Sequence, residues 1–106
     1  MIARFWSAQT TTAQLEPYIE HLTKNVLPAL QTVEGYAGAQ LLQRRQDDDV
    51  EIMVVTWWNS LDAIRGFAGD RLEEAVVADE AAALLIRFDH RVRHYELVIR
   101  DDPGGE

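Results

Sequence analysis

Residues 50–58, VEIMVVTWW, are apolar on both sides of the chain. Alternate side chains of a strand point to opposite faces. Val50, Ile52, Val54, Thr56 and Trp58 therefore share one face, and Glu51, Met53, Val55 and Trp57 share the other. An antiparallel sheet covered by helices on one side alternates apolar with polar residues, and this strand does not. Helices can cover only one of its faces. The second face needs a cover of its own, and the simplest source is the same face of a second copy. Leaving Met53, Val55 and Trp57 wet would expose an unusually large apolar patch. The expectation is a homodimer joined through the sheet face; the alternative is a sheet edge curling over its own core.

The rest of the chain supplies partners for that strand. Residues 2–8 (IARFWSA) are rich in β-formers and precede a polar run, Thr10-Thr11-Thr12. Residues 13–31 carry Leu15, Tyr18, Ile19, Leu22, Val26, Leu27 and Leu30 at helical spacing. Thr11 and Gln14 have capping-box spacing, whereas Pro17 points to a start a few residues later and Pro28 to a kinked or broken last turn. Gly35 suits a left-handed helix end. Residues 36–45 read as a strand, and Asp47-Asp48-Asp49 turns the chain back into residues 50–58 as a hairpin. Asn59-Ser60 caps a second helix carrying Leu61, Ile64, Arg65 and Phe67. Residues 71–77 and 79–87 read as short helices or turns, and 89–99 as the last strand. The order β-α-β-β-α-β predicts an α+β, ferredoxin-like antiparallel sheet with helices on one face. One domain is expected over residues 1–99, with a disordered tail over 100–106.

Composition narrows the function. At 106 residues there is room for one domain. There are no cysteines, which removes disulfides, thiolate metal sites and thiol nucleophiles and fits a reducing compartment. The net charge of −8 repels phosphate backbones, so nucleic acid is not an expected partner. No apolar run approaches transmembrane length, and the start Met1-Ile2-Ala3-Arg4 is unlike a signal peptide. A soluble, cytoplasmic protein without a membrane partner is expected. There is no Gly-rich phosphate loop, nucleophile elbow or EF-hand spacing, and neither a metal site nor a cofactor is predicted.

Several side chains are candidates for a site. Arg4 sits between Ile2 and Trp6 on one face of the first strand, and a buried arginine needs an anionic partner. That partner is either a substrate carboxylate or phenolate or, as the favoured reading, an acid such as Glu96 in a structural salt bridge. Trp57 and Trp58 point to opposite faces, one toward the helices and any pocket and the other toward the dimer interface. Either tryptophan can stack on a flat ligand, but core packing is the commoner role. His90 and His94 sit four apart in the last strand and so share a face, roughly 13 Å apart, too far to chelate one metal. His21 lies near the border of the first helix's apolar face. A solvated histidine is the default for each, with a general base near neutral pH as the alternative.

Three stretches together resemble the antibiotic biosynthesis monooxygenase (ABM) family, the dimeric α/β-barrel proteins. They are Leu27-Pro28-Ala29-Leu30 through Glu34-Gly35-Tyr36, Ile52 to Trp58 followed by Asn59-Ser60, and Leu61-Asp62-Ala63-Ile64-Arg65-Gly66-Phe67. The resemblance covers about residues 1–99. It implies two sheets meeting face to face in an α/β barrel and a pocket between helices and sheet in each subunit. Some relatives oxidise polycyclic phenols to quinones with oxygen and no added cofactor; others bind and degrade heme. The heme degraders' pocket tryptophan matches Trp58. Their strand-1 asparagine has no counterpart, the first asparagine here being Asn25, and their histidine after the second helix falls on residues 70–77, which hold none. Heme degradation by that route is not expected.

Three functions follow as expectations. One is a cofactor-independent monooxygenase on a small aromatic or polycyclic substrate, with Arg4, Trp58 and His21 catalytic and Trp6, Tyr36 and Phe67 binding the substrate. Another is a non-catalytic ligand-binding or stress-response dimer. The third is a structural dimer whose pocket is filled by its own side chains. A pocket in which a base and an arginine converge favours the first.

Overall fold

The structure, a computed structural model, describes residues 1–104. Its central strand is β1 (Ile2–Thr11). One edge of β1 pairs antiparallel with β3 (Asp49–Trp58), from Ile2 opposite Trp58 to Thr11 opposite Asp49. β3 in turn pairs with β2 (Tyr36–Gln46) as a hairpin. The other edge of β1 takes β4 (Arg87–Phe88) and β5 (Arg93–Glu96), also antiparallel. The order β2-β3-β1-β4 is that of a ferredoxin-like α+β fold.

Helix α1 (Thr12–His21) starts directly after β1 because the Thr11 hydroxyl accepts the Gln14 backbone N–H at 3.1 Å. Pro17 does not delay that start, contrary to the expectation drawn from it. The chain continues through a π-helical turn, Leu22–Val26, into α2 (Leu27–Leu30). Pro28 explains the widened turn. Its ring cannot donate to the Lys24 carbonyl and would press on it in a regular helix; instead Leu27 N–H reaches back to Leu22. The helix therefore widens before Pro28 rather than breaking at it.

Gly35 joins α2 to β2 with φ +90°, and a Cβ there would collide with the Ala63 side chain. Only glycine meets both demands. The Ser60 hydroxyl caps α3 (Leu61–Ala68) by accepting from Ala63 N–H at 3.1 Å. After α3 the chain crosses the helical side to a short helix, α4 (Asp79–Ala82).

Two expectations at the strands need correction. β1 runs through the polar threonines to Thr11, because Thr10 is fully buried and donates to the Leu84 carbonyl at 2.7 Å. The last strand is interrupted over residues 89–92. There the backbone pairs instead with residues 73–75, through Ala75 N–H to His90 O at 2.9 Å and Val92 N–H to Glu73 O at 2.7 Å. The interruption undoes the simple face assignment of the two histidines. His94 points to the helical side opposite Arg4, whereas His90 is exposed beside Phe88. Beyond Glu96 the described chain has no further strand. Of the tail expected to be disordered, residues 105–106 lie outside the described residues.

The helical side holds two apolar cores. The first gathers Ala8, Leu15, Tyr18, Leu22, Val50, Ile52 and Ala81. The second gathers Leu30, Trp58 and Ile64, with Tyr36 and Phe67 against it. The sheet register explains the division. Ala8 opposite Ile52 belongs to the first core and Ile2 opposite Trp58 to the second, while the rungs between them are Trp6–Val54 and Arg4–Thr56. An arginine and a threonine thus interrupt the apolar stripe at its middle. No helix among the described residues is long and apolar enough to cross a membrane.

Candidate functional site

The seam between the cores is a cavity of about 90 Å³, well above the ~10–15 Å³ that one water needs. Its walls are mainly apolar, with Leu22, Leu27, Val54, Phe67 and Val77 among them. Arg4 and His21 also line it.

Arg4 is 5% exposed. Its Nη1 donates to the Leu72 carbonyl at 2.7 Å and lies 2.9 Å from His94 Nε2, and its Nη2 donates to the Glu74 carbonyl at 2.9 Å. The expected salt bridge to Glu96 is absent: no acidic side chain among the described residues pairs with Arg4. Glu96 sits opposite Ile2 on β5 and is exposed. All three partners are neutral acceptors, and a guanidinium carries five N–H groups. The charge is hydrogen-bonded but not neutralised. Burial lowers the Arg4 pKa to about 10, which leaves it cationic at neutral pH. The Phe67 ring lies beneath the guanidinium, 5.7 Å from its carbon to the ring centroid.

His94 keeps Arg4 in place. An arginine N–H can only donate, so Nε2 is the acceptor and the ring proton sits on Nδ1. Burial and the Arg4 charge both push the His94 pKa down, against a smaller opposing pull from Glu73. The neutral imidazole is thus the form that this contact requires.

His21 projects from the last turn of α1, next to the widened helical turn. Asn25 Nδ2 lies 3.1 Å from its Nδ1. An amide nitrogen can only donate, which places the ring proton on Nε2. That Nε2 is the one buried side-chain polar atom without a hydrogen-bond partner among the described residues. Buried donors are rarely left this way.

Aromatic side chains complete the walls. Trp6 lies 6.4 Å from Tyr18, nearly parallel to it, and donates to the Asp89 carbonyl at 2.9 Å. The Tyr18 hydroxyl is pushed up to about 12 by burial and stays a neutral phenol.

Of the residues singled out from sequence, Arg4, Trp6, His21 and Phe67 meet at this cavity. Trp58 and Tyr36 do not line it. Trp58 is 0% exposed and stacks 5.7 Å behind Phe67, with its indole N–H donated to Thr56 Oγ1 at 2.9 Å. Tyr36 meets Trp58 edge-on from the far side. Both belong to the wall that holds Phe67. Sequence reading missed the part of His94 and of the Leu72 and Glu74 carbonyls. A signal for His94 was available, since Arg4 and His94 fall opposite one another once strands 1 and 5 are paired. Nothing local marks the two carbonyls.

Comparison with known proteins places this geometry in context. The family model for antibiotic biosynthesis monooxygenases matches residues 1–78. The uncharacterized protein Rv2558 of Mycobacterium tuberculosis is 29% identical over 93% of this chain. The chain spans only 42% of the length of that relative. Among solved structures, a putative antibiotic biosynthesis monooxygenase from Bacillus cereus superposes with a TM-score of 0.65 at 16% identity, covering 94% of this chain and 97% of its own. The Streptomyces coelicolor monooxygenase ActVA-Orf6, solved with nanaomycin D, gives 0.61 at 15% identity over 99% of this chain and 92% of its own. The heme degrader MhuD of M. tuberculosis gives 0.61 at 20% identity over 96% of this chain and 100% of its own.

A heme does not fit the residues present here. The segment after α3 brings carbonyls rather than an imidazole to Arg4, and His94 Nε2 is already held by Arg4. The cavity is also well below the ~300 Å³ of the smaller ligand pockets. The match over residues 1–78, the ferredoxin-like order and the superpositions agree: this chain belongs to the antibiotic biosynthesis monooxygenase family.

Proposed function

We propose that the protein is a cofactor-independent monooxygenase acting on a small phenol, bound as its anion against Arg4. The observation that carries this reading is a buried arginine, without a carboxylate partner, in the wall of an apolar cavity. Family membership supports the reaction type. A phenolate gives up an electron to dioxygen far more readily than a neutral phenol does. Overall, a phenol and one O2 yield a quinone and one water: one oxygen atom enters the ring, the other leaves as water with the two displaced hydrogens, and the substrate loses four electrons. The protein's part is to bind the anion, orient it and keep water out. Arg4 serves as the fixed positive charge and Phe67 and Trp6 as the walls.

The working unit in this proposal is a cytoplasmic homodimer. Met53 and Trp57 on the face away from the helices are only partly covered, and Val98 and Ile99 are 85% and 81% exposed. A second copy laid on that face covers them.

Oxygen consumption with a panel of single-ring phenols tests the reaction. One O2 consumed per quinone formed is expected, with Arg4→Gln about 10²–10³-fold slower. Unchanged phenols that nevertheless bind would replace the enzyme with a ligand-binding module. Native mass spectrometry tests the assembly: a mass of one chain overturns the dimer.

A further inference from the structure

We infer that the cavity is a two-pole site for a single-ring monoanion, with its anionic oxygen on Arg4 and a second, neutral acceptor oxygen on His21 Nε2–H. This rests on the cavity being the substrate site and narrows the substrate beyond a phenol.

The two poles are independent observations. Arg4 enters from the sheet and satisfies neutral groups only, so it selects negative charge. His21 enters from α1 and lacks an acceptor. Asn25 determines what His21 asks for: because the amide nitrogen occupies Nδ1, the buried Nε2 presents a proton and not a lone pair. A ligand without an oxygen at that end leaves a desolvated donor unpaired, and such mismatches discriminate more strongly than a lost apolar contact does.

The same cavity is lined by Val54, Leu22, Leu27 and Phe67, which offer a ring contact and no second charge. No carboxylate lines the cavity, so a cationic ligand has nothing to meet. The volume of about 90 Å³ disfavours fused systems. The inferred class is a benzene ring with oxygen substituents at opposite ends, one of them ionised.

Benzoates test this separately from oxygenation, because their carboxylate is not a phenolate and quinone formation is not required for binding. Isothermal titration of the 106-residue chain at neutral pH compares 4-hydroxybenzoate, benzoate, phenol and 6-hydroxy-2-naphthoate. Expected are 4-hydroxybenzoate about tenfold tighter than benzoate, phenol at least tenfold weaker than 4-hydroxybenzoate, and the naphthoate weakest. His21→Phe is expected to erase the gap between 4-hydroxybenzoate and benzoate while leaving benzoate affinity in place. Asn25→Leu, which releases the tautomer without touching the cavity wall, is expected to narrow the same gap. The comparison among ligands on the unmodified protein stands even where a variant fails to fold. Equal affinity for benzoate and 4-hydroxybenzoate overturns the second pole, and phenol binding as well as 4-hydroxybenzoate overturns the first. Tighter binding of the naphthoate overturns the single-ring limit, and no binding at all overturns the site. Tight 4-hydroxybenzoate binding without oxygen uptake on any phenol keeps this inference and removes the oxygenase reading.

Discussion

The two faces of the sheet come from the same strands and have different fates. On the helical face Val50, Ile52 and Trp58 are fully buried, and the interruption at Arg4 and Thr56 becomes a cavity. On the opposite face Phe5 meets Tyr95 edge-on at 5.3 Å, Val55 is buried beneath its neighbours, and Leu42, Val98 and Ile99 stand exposed. The helical face contains its charge within a hydrogen-bonded cage. The open face runs from Ala3 and Phe5 through Met53 and Trp57 to Leu97, flanked by Arg93 and Glu96. One face is finished within the chain and encloses a cavity; the other is apolar over a broad area and open. On the helical face the cavity coincides with the one charge that interrupts an apolar stripe.

Substitutions of the adjacent tryptophans should separate the faces most sharply. Trp58→Ala leaves a hole beneath Phe67 and is expected to cost about 3–5 kcal/mol in denaturant unfolding. A cost below that of a typical surface change would mean that the second core is not close-packed. Trp57→Ala on the open face should act mainly on association. A shift of the concentration-dependent dimer signal in ultracentrifugation is expected, and an unchanged association constant would remove Trp57 from the proposed interface. Thr11→Ala tests whether the helical layer relies on its cap and should lower stability by about 1 kcal/mol, measured by the denaturation midpoint.

The gentlest test uses pH. His94 is neutral in the fold and its pKa is depressed by burial and by Arg4, with Glu73 the opposing charge. The unfolded chain then binds the proton more readily than the folded one. Stability from this group is fully present above the ordinary histidine value of 6.5 and is lost as the pH falls below it toward the depressed folded value. A melting temperature that declines over that range in the native protein, and less so in His94→Gln, is expected. Equal declines would show that His94 is not the group responsible.

Much of this architecture was legible residue by residue. The strand at 50–58, the turn at Asp47, the capping threonine and serine and the glycine at 35 each act through local geometry, and the structure keeps them. Pro17 and Pro28 were misleading because a proline constrains one hydrogen bond, while a long helix packed on a sheet can continue by widening a turn. The last strand was misread because alternation cannot show that residues 89–92 would leave β1 for the backbone of 73–75. That exchange carries His94 to Arg4 and brings the Leu72 and Glu74 carbonyls within reach of the guanidinium.

By itself the sequence determined the order of elements, the alternation of faces along the first and third strands and the presence of an arginine within an apolar stripe. These follow from periods of two and 3.6 residues and from short-range hydrogen bonds. Only the tertiary structure decided that Arg4 has neutral partners rather than Glu96, that His21 faces inward with its Nε2 unpaired, and that Trp58 supports the wall without lining the cavity. Those outcomes depend on which backbone carbonyls and side chains, tens of residues away in the chain, arrive at one point, and pattern along the chain carries no record of that distance.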